Sequence, residues 1–334
     1  MRHSQQASGL ALAVMLLTGL LATGGASSAA AKAPVKVTVQ LAWLMNDESA
    51  GIAAAVKQGF YRQAGLDVTV KAGGPSVDPV VNVASGQAQF GVANSSGDLM
   101  LAAAQGIPVK AVAATYQKHP FAFFYLPGTG ITRPADLRGK KIGIQATARY
   151  LLEAFLFKVG VPLKDVTVVT IGSNLVPLAE HQVAAASAWV INAGQTAAVP
   201  RAKYFLTYNY GLEFTGMVLF TTSKEIATRP AVVKAFVHAS MQGWAWAMSH
   251  PKLAVRDVMD MASGLSEPME YKTLLTSIPL IRDAVTRKQG LGYMLPSAWE
   301  QGEHILVDTH QLKKMLPIDR FFTNRFIAGN TPKE

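Results

Sequence analysis

The 334-residue chain contains no cysteine. That absence excludes disulfide scaffolds, zinc–thiolate sites, iron–sulfur clusters and thiol nucleophiles together. Charge is also scarce, with 16% of residues charged against 50% apolar. A composition of this kind buries a core and is not intrinsically disordered. The longest apolar run, residues 10–21, is shorter than the roughly 20 residues a membrane-spanning helix needs. The length itself points to two domains or one bilobed unit, because single cores divide above about 250 residues.

The charge that is present leans basic: 31 Lys and Arg against 21 Asp and Glu, a net +10. Nucleic acid is the first partner this suggests, but phosphate binding needs a basic stripe or arm. Apart from Arg138-Gly139-Lys140-Lys141, basic residues occur at most in pairs, interleaved with acids. No nucleic-acid partner is expected. No phosphate-binding loop G-x-x-x-x-G-K-[ST] occurs, and the pairs Gly128/Gly130 and Gly290/Gly292 lack the third glycine of a dinucleotide motif. The seven histidines are scattered with no H-E-x-x-H, so neither a metal nor a cofactor is expected. Ala93-Asn94-Ser95-Ser96-Gly97 lacks the flanking glycines of a serine-hydrolase elbow. Ser95 reads instead as a helix cap.

The first residues read as an address. Arg2 opens a short polar stretch, the apolar run follows, and Ala29-Ala30-Ala31 forms a small-residue cleavage site before Lys32. This is the pattern of a secretory signal peptide, with Ala31 the last residue removed. Arg2 is its only Lys or Arg and it carries no acid, so the mature charge is +9. Without a cysteine after the cleavage site there is no lipid anchor, and the expected location is a Gram-negative periplasm.

The remainder alternates between two periodicities. Strands are predicted at 35–41, 66–71, 90–93, 109–116, 141–144, 167–171, 186–191 and 217–222. Helices are predicted at 50–61, 79–85, up to Gln105, 150–159 and 177–182, and then over 230–249, 253–262, 269–277 and 297–312. Asp47, Glu48 or Ser49 caps the first helix. Ser95 with Asp98, and Ser297 with Glu300, have capping-box spacing. Two strand–helix runs of similar length followed by a helical tail make an α/β protein with two lobes of parallel sheet.

Polar and aromatic residues recur where strands hand over to helices. Trp43 and Asn46 follow the first strand, Asn94 and Ser95 the third, Tyr116 and Gln117 the fourth. Thr147, Tyr150, Trp189 and Asn192 occupy such positions in the second half. The carboxyl ends of strands form the ligand crevice of open α/β sheets. There Trp43, Tyr116 and Trp189 are suited to stack on a planar ring, with Asn and Ser orienting it by hydrogen bonds.

At these residues the chain resembles a known group. Lys57-Gln58-Gly59-Phe60-Tyr61 with Ala64-Gly65-Leu66-Asp67-Val68 resembles the "KGFY…AGLDV" run of solute-binding proteins of ABC importers, a group that handles nitrate, sulfonates, taurine and thiamine pyrimidine precursors. Gly73-Gly74-Pro75, the run from Ala84 to Val92, Gln105-Gly106-Ile107-Pro108-Val109, Tyr116-Gln117-Lys118, the run from Asp136 to Gly143 and Phe321-Phe322-Thr323-Asn324 are similar to the thiamine-pyrimidine-precursor branch. The resemblance implies a two-lobed type II periplasmic binding protein fold, with the ligand cleft between the lobes and a helical C-terminal segment. Crossings near Phe121 and Met217 then give a signal peptide over 1–31, a first lobe over 32–121 and 217–334, and a second over 122–216.

The resemblance also implies a non-catalytic monomer that clamps a small molecule by hinge closure and delivers it to a permease at the inner membrane. It places Trp43, Asn46, Asn94, Ser95, Tyr116 and Thr147 at binding positions. Related pyrimidine binders carry an acid late in the second lobe, where this chain reads Ala188-Trp189-Val190-Ile191-Asn192-Ala193. Loss of that carboxylate argues against an aminopyrimidine, and Trp189 points to a larger or less polar ring. Glu213 and Asp47 are the acids left to contact the ligand, although Glu213 reads better as a solvated surface residue. The eukaryotic relatives that synthesise the pyrimidine use a cysteine-rich iron site, which a cysteine-free chain lacks. The leading expectation is a receptor for a small heteroaromatic, a thiamine pyrimidine precursor or similar vitamin-like molecule. A binder of sulfonate, nitrate or another small anion is the second, since helix N-termini and a positive chain favour anions. An exported enzyme using Ser95 is the third.

Overall fold

The structure, a computed structural model, describes residues 33–327. The expected signal peptide and its cleavage site lie outside them. In chain order the first group of elements is β1 (Val35–Gln40), α1 (Ala50–Lys57), α2 (Phe60–Gln63), β2 (Leu66–Lys71), α3 (Pro79–Ala84), β3 (Phe90–Ser95), α4 (Ser96–Ala104) and β4 (Val109–Tyr116). The second is β5 (Phe121–Tyr125), β6 (Lys141–Ile144), α5 (Arg149–Lys158), β7 (Thr167–Thr170), α6 (Val176–Ala179), β8 (Ala185–Trp189), α7 (Ala193–Thr196) and β9 (Lys203–Leu206). The last is β10 (Gly216–Thr222), α8 (Ser223–Thr228), α9 (Pro230–Ser249), α10 (Pro251–Met259), α11 (Glu267–Ile281), α12 (Ala284–Gln289) and α13 (Pro296–Asp308).

Two five-stranded sheets result, ordered β2-β1-β3-β10-β4 and β7-β6-β8-β5-β9. Each repeats one plan. Four strands run in one direction, and the fourth position in the order is an antiparallel strand contributed by chain arriving from the other sheet. The two lobes of purely parallel sheet expected from strand–helix alternation are therefore mixed sheets. The chain leaves the first sheet after Tyr116 and returns at Gly216, so β5 and β10 each enter their sheet against its parallel strands.

β5 and β9 were not legible as strands. Phe-Ala-Phe-Phe-Tyr in β5 is buried at every position, so it has no alternation to detect. The helix predicted over 50–61 breaks at Gly59, whose φ of 77° is left-handed. The capping box at Ser297 is absent. Pro296 already occupies the first helical turn, and the cap position falls on Leu295 with no side-chain bond.

α1 explains how the long helix α9 reaches the first sheet. It is almost entirely small residues, and Ala50 through Ala55 are buried. A Cβ on Gly243 of α9 would lie 2.0 Å from the Gly51 carbonyl oxygen, and one on Gly51 would lie 2.2 Å from the Trp244 ring. The two helices meet backbone to backbone, with Trp244 wedged against α1. Gly243→Ala is expected to lower unfolding stability by about 2 to 3 kcal/mol through overpacking, read as a reduced denaturation midpoint with an unchanged m-value.

Candidate functional site

A cavity of about 530 Å³ lies where the carboxyl ends of both sheets meet their helices. Its size falls in the range of small-molecule sites. Seven of the ten candidate residues line it: Trp43, Asn94, Ser95, Thr147, Tyr150, Trp189 and Asn192. Three do not. Asn46 caps the short 3-10 turn Asp47–Ser49, its Oδ1 accepting from Glu48 N–H, so none of the three residues proposed to cap α1 does so through its side chain. Tyr116 is fully buried, edge-on to Trp244 in the core with ring centroids 5.9 Å apart. Gln117 is turned back on the chain, its side-chain amide donating to the Ala114 carbonyl. Strand-end position brought these three to the right level of the sheet, and packing turned them away from the cavity.

The loops that hold the aromatics are fixed by local hydrogen bonds. Trp43 sits just beyond β1, its carbonyl accepting from Gly73 N–H at 2.8 Å. A Cβ on Gly73 would lie 2.3 Å from the Leu41 carbonyl oxygen, so only glycine lets these two loops touch. Gln40 ties them from below, donating to the Leu41 and Ala72 carbonyls while accepting from Asn82. Trp189 closes β8 opposite Phe121 of β5, their rings edge-to-face at 5.1 Å. Its backbone N–H donates to Gln195, whose own N–H is capped by Asn192.

Among the described residues three carboxylates line the cavity, Glu48, Asp78 and Asp98, and no Lys, Arg or His does. Asp98 completes the capping box of α4: Ser95 N–H donates to one of its oxygens at 3.0 Å, and Ser95 Oγ accepts from Gly97 N–H. Its other oxygen accepts from Tyr150 Oη of α5 at 2.7 Å, a bond between the two groups of elements. A Cβ on Gly97 would lie 2.7 Å from the Tyr150 ring, so this approach needs a glycine. Asp78 caps α3, accepting from Val80 and Val81 N–H. Glu48 accepts from Asn192 Nδ2 at 2.7 Å, a second bond from one group to the other.

Burial pushes the Asp98 carboxyl up to about 6 despite these bonds, with the Asp78 charge adding to the rise. Burial likewise raises Glu48 to about 7, opposed by its bonds to Asn192 and Asn46. Asp47, beside Glu48, is raised well above the carboxylate range by burial and then by the Glu270 charge. It packs against α11 outside the cavity lining, its backbone N–H donating to Glu270. Glu213, the other acid considered from sequence, does not line the cavity.

Of Asp47, Glu48 and Glu213, the acid that reaches the cavity is Glu48, which accepts from Asn192. Sequence reading treated Glu48 and Asp98 only as capping residues, because burial and cross-sheet partners have no local signature. Gln145, Gln195 and Gln105 also line the cavity and had no signal beyond a loop position.

Both carboxyls bind protons more tightly folded than unfolded, so the stability they confer is full below about pH 4 and is lost as pH rises through 6 to 7. Glu48→Gln removes the ionisation and keeps an acceptor for Asn192. It is expected to raise stability at pH 8 by an amount on the order of 2 kcal/mol, the difference from wild type closing below pH 5 in paired thermal melts.

The chain is 28% identical to the riboflavin-binding protein RibY of Chloroflexus aurantiacus, over 96% of this chain and 97% of that protein. It is 22% identical to the formylaminopyrimidine-binding protein of Halalkalibacterium halodurans, over 79% and 82%. Among solved structures, the periplasmic aliphatic sulphonate binding protein SsuA from Escherichia coli superposes with a TM-score of 0.67 at 15% identity, covering 90% of this chain and 94% of that one. The likeness establishes a periplasmic-binding-protein fold. The NMT1/THI5-like family profile matches residues 46–254. With the two mixed sheets and the cavity at their strand ends, that match over most of the chain places this protein in the NMT1/THI5-like family.

Proposed function

We propose that this chain is the periplasmic solute-binding component of an ABC importer, and that it captures an uncharged planar heteroaromatic compound of flavin size. The observation that carries the reading is the cavity lining: Trp43, Trp189 and Tyr150 beside three carboxylates and no cation. Indole and phenol rings take a planar ligand by stacking. Carboxylates and glutamines orient its N–H and O–H donors. The turn Ala146–Ala148 that opens α5 has no side-chain cap, which leaves first-turn N–H groups for ring carbonyl oxygens.

The volume favours a multi-ring ligand over a single pyrimidine, and the full-length relative named for riboflavin binds a ligand of this kind. Pyrimidine capture is the nearer alternative, supported by the formylaminopyrimidine-binding relative and by Glu48 standing in for the missing second-lobe acid. The same lining disfavours sulfonate or nitrate, since the helix N-termini at Asp78 and Asp98 already carry their own anions. Enzyme chemistry at Ser95 is disfavoured too. Its Oγ is engaged as a cap, and no histidine lines the cavity to act as its base. The protein acts by closing on its ligand as a monomer and presenting it to a membrane permease.

Titration with riboflavin, followed by tryptophan quenching, is expected to saturate at one equivalent, and the sulfonate MOPS is expected to give no change. Trp189→Ala is expected to weaken riboflavin binding about tenfold to 100-fold through lost stacking. Silence of the wild type toward riboflavin would refute the flavin-size reading.

A further inference from the structure

We infer that Asp98, backed by Glu48 and Asp78, determines ligand charge: it admits the uncharged form of the ring compound and turns away its phosphate monoester. The inference deepens the ring-binding reading and rests on it for its probes.

The argument starts from where an anion would be held. The whole chain is basic, yet among the described residues the charged side chains lining the cavity are the acids Glu48, Asp78 and Asp98. Backbone N–H groups at helix starts are the other means of holding a phosphate. Four helix starts open on the cavity, those of α3, α4, α5 and α7, and the last is closed by Asn192, whose Oδ1 accepts from Gln195 N–H. α3 is closed by Asp78, which accepts from two of its N–H groups. α4 is closed by Asp98 and Ser95.

The start of α5 has no cap of its own, but Asp98 reaches it from the facing element through Tyr150 in the first turn. Asp98 therefore caps α4 directly and sets a negative charge one tyrosine side chain away from the uncapped start of α5. A phosphate dianion brought to either end meets a like charge with no cation to screen it. Ring carbonyls and hydroxyls carry no such penalty. A hydroxyl can donate to the same carboxylate that repels its phosphate ester.

The test measures relative affinity within two matched pairs on the purified chain at pH 8: riboflavin with riboflavin 5′-phosphate, and 4-amino-5-hydroxymethyl-2-methylpyrimidine with its monophosphate. In whichever pair binds, the uncharged member is expected to be favoured on the order of 100-fold. Asp98→Asn keeps an oxygen for Ser95 N–H and gains an amide to donate to Tyr150, so the cap and the cross-sheet bond persist without the charge. It is expected to narrow the preference at least about tenfold, whichever way the affinity for the uncharged member moves.

Glu48→Gln, on the other cross-sheet bond, is expected to narrow it less, and it provides a second variant should the first fold poorly. Equal binding of both members by wild type, or an unchanged ratio in both variants, would overturn the inference. Binding of the pyrimidine pair alone would remove the flavin reading and leave the charge ratio to be read from the pyrimidines. Binding of neither pair would overturn both.

Discussion

A carboxylate removed from water must find hydrogen-bond donors, and Asp98 finds them on both sides of the cavity. It accepts from Ser95 N–H at the start of α4 and from Tyr150 Oη in α5. The bond to Tyr150 is possible because the α5 ring comes close against Gly97, where a Cβ would lie 2.7 Å from it. Glu48 makes a second such bond through Asn192. A buried acid and a half-buried one thus fasten the two groups of elements together around the cavity. Both are raised toward neutrality by burial, so the fastening is held by groups that sit close to losing their charge.

The interior follows from a simpler rule. Each sheet takes four like-directed strands from one run of chain and one antiparallel strand from the segment that crosses over. The crossings place strand carboxyl ends from both sheets around one space, where strand-end polar and aromatic residues meet apolar residues of the neighbouring helices. The helical tail completes the first lobe. α9 closes on α1 because glycine and alanine at their contact allow backbones to meet, and Trp244 fills what remains.

The local elements were largely legible. β2, β4, β6 and α9 stand where periodicity and breakers put them, and the capping box at Ser95 and Asp98 is formed as its spacing implies. β5 and β9 were missed for opposite reasons. β5 is buried on both faces and has no period, while β9 is short and lies at a sheet edge with Tyr204 exposed. The candidate site was legible to the level of the strand end and no further. Trp43 and Trp189 line the cavity, but Tyr116 at an equivalent position packs on Trp244 instead. Which way a strand-end ring turns depends on a helix far away in sequence.

By itself the sequence determined the class of fold, the absence of cysteine chemistry and the ring-and-amide character of the strand ends. Those properties are local, written in composition, spacing and short motifs. Only the tertiary structure decided the charge of the site. The chain is basic overall, yet its cavity is lined by acids because Glu48 and Asp98, which read as capping residues, and Asp78, which carried no sequence signal, converge there from three helix starts. Convergence depends on long-range pairing, and the burial that raises Glu48 and Asp98 exists only once both sheets have closed around them.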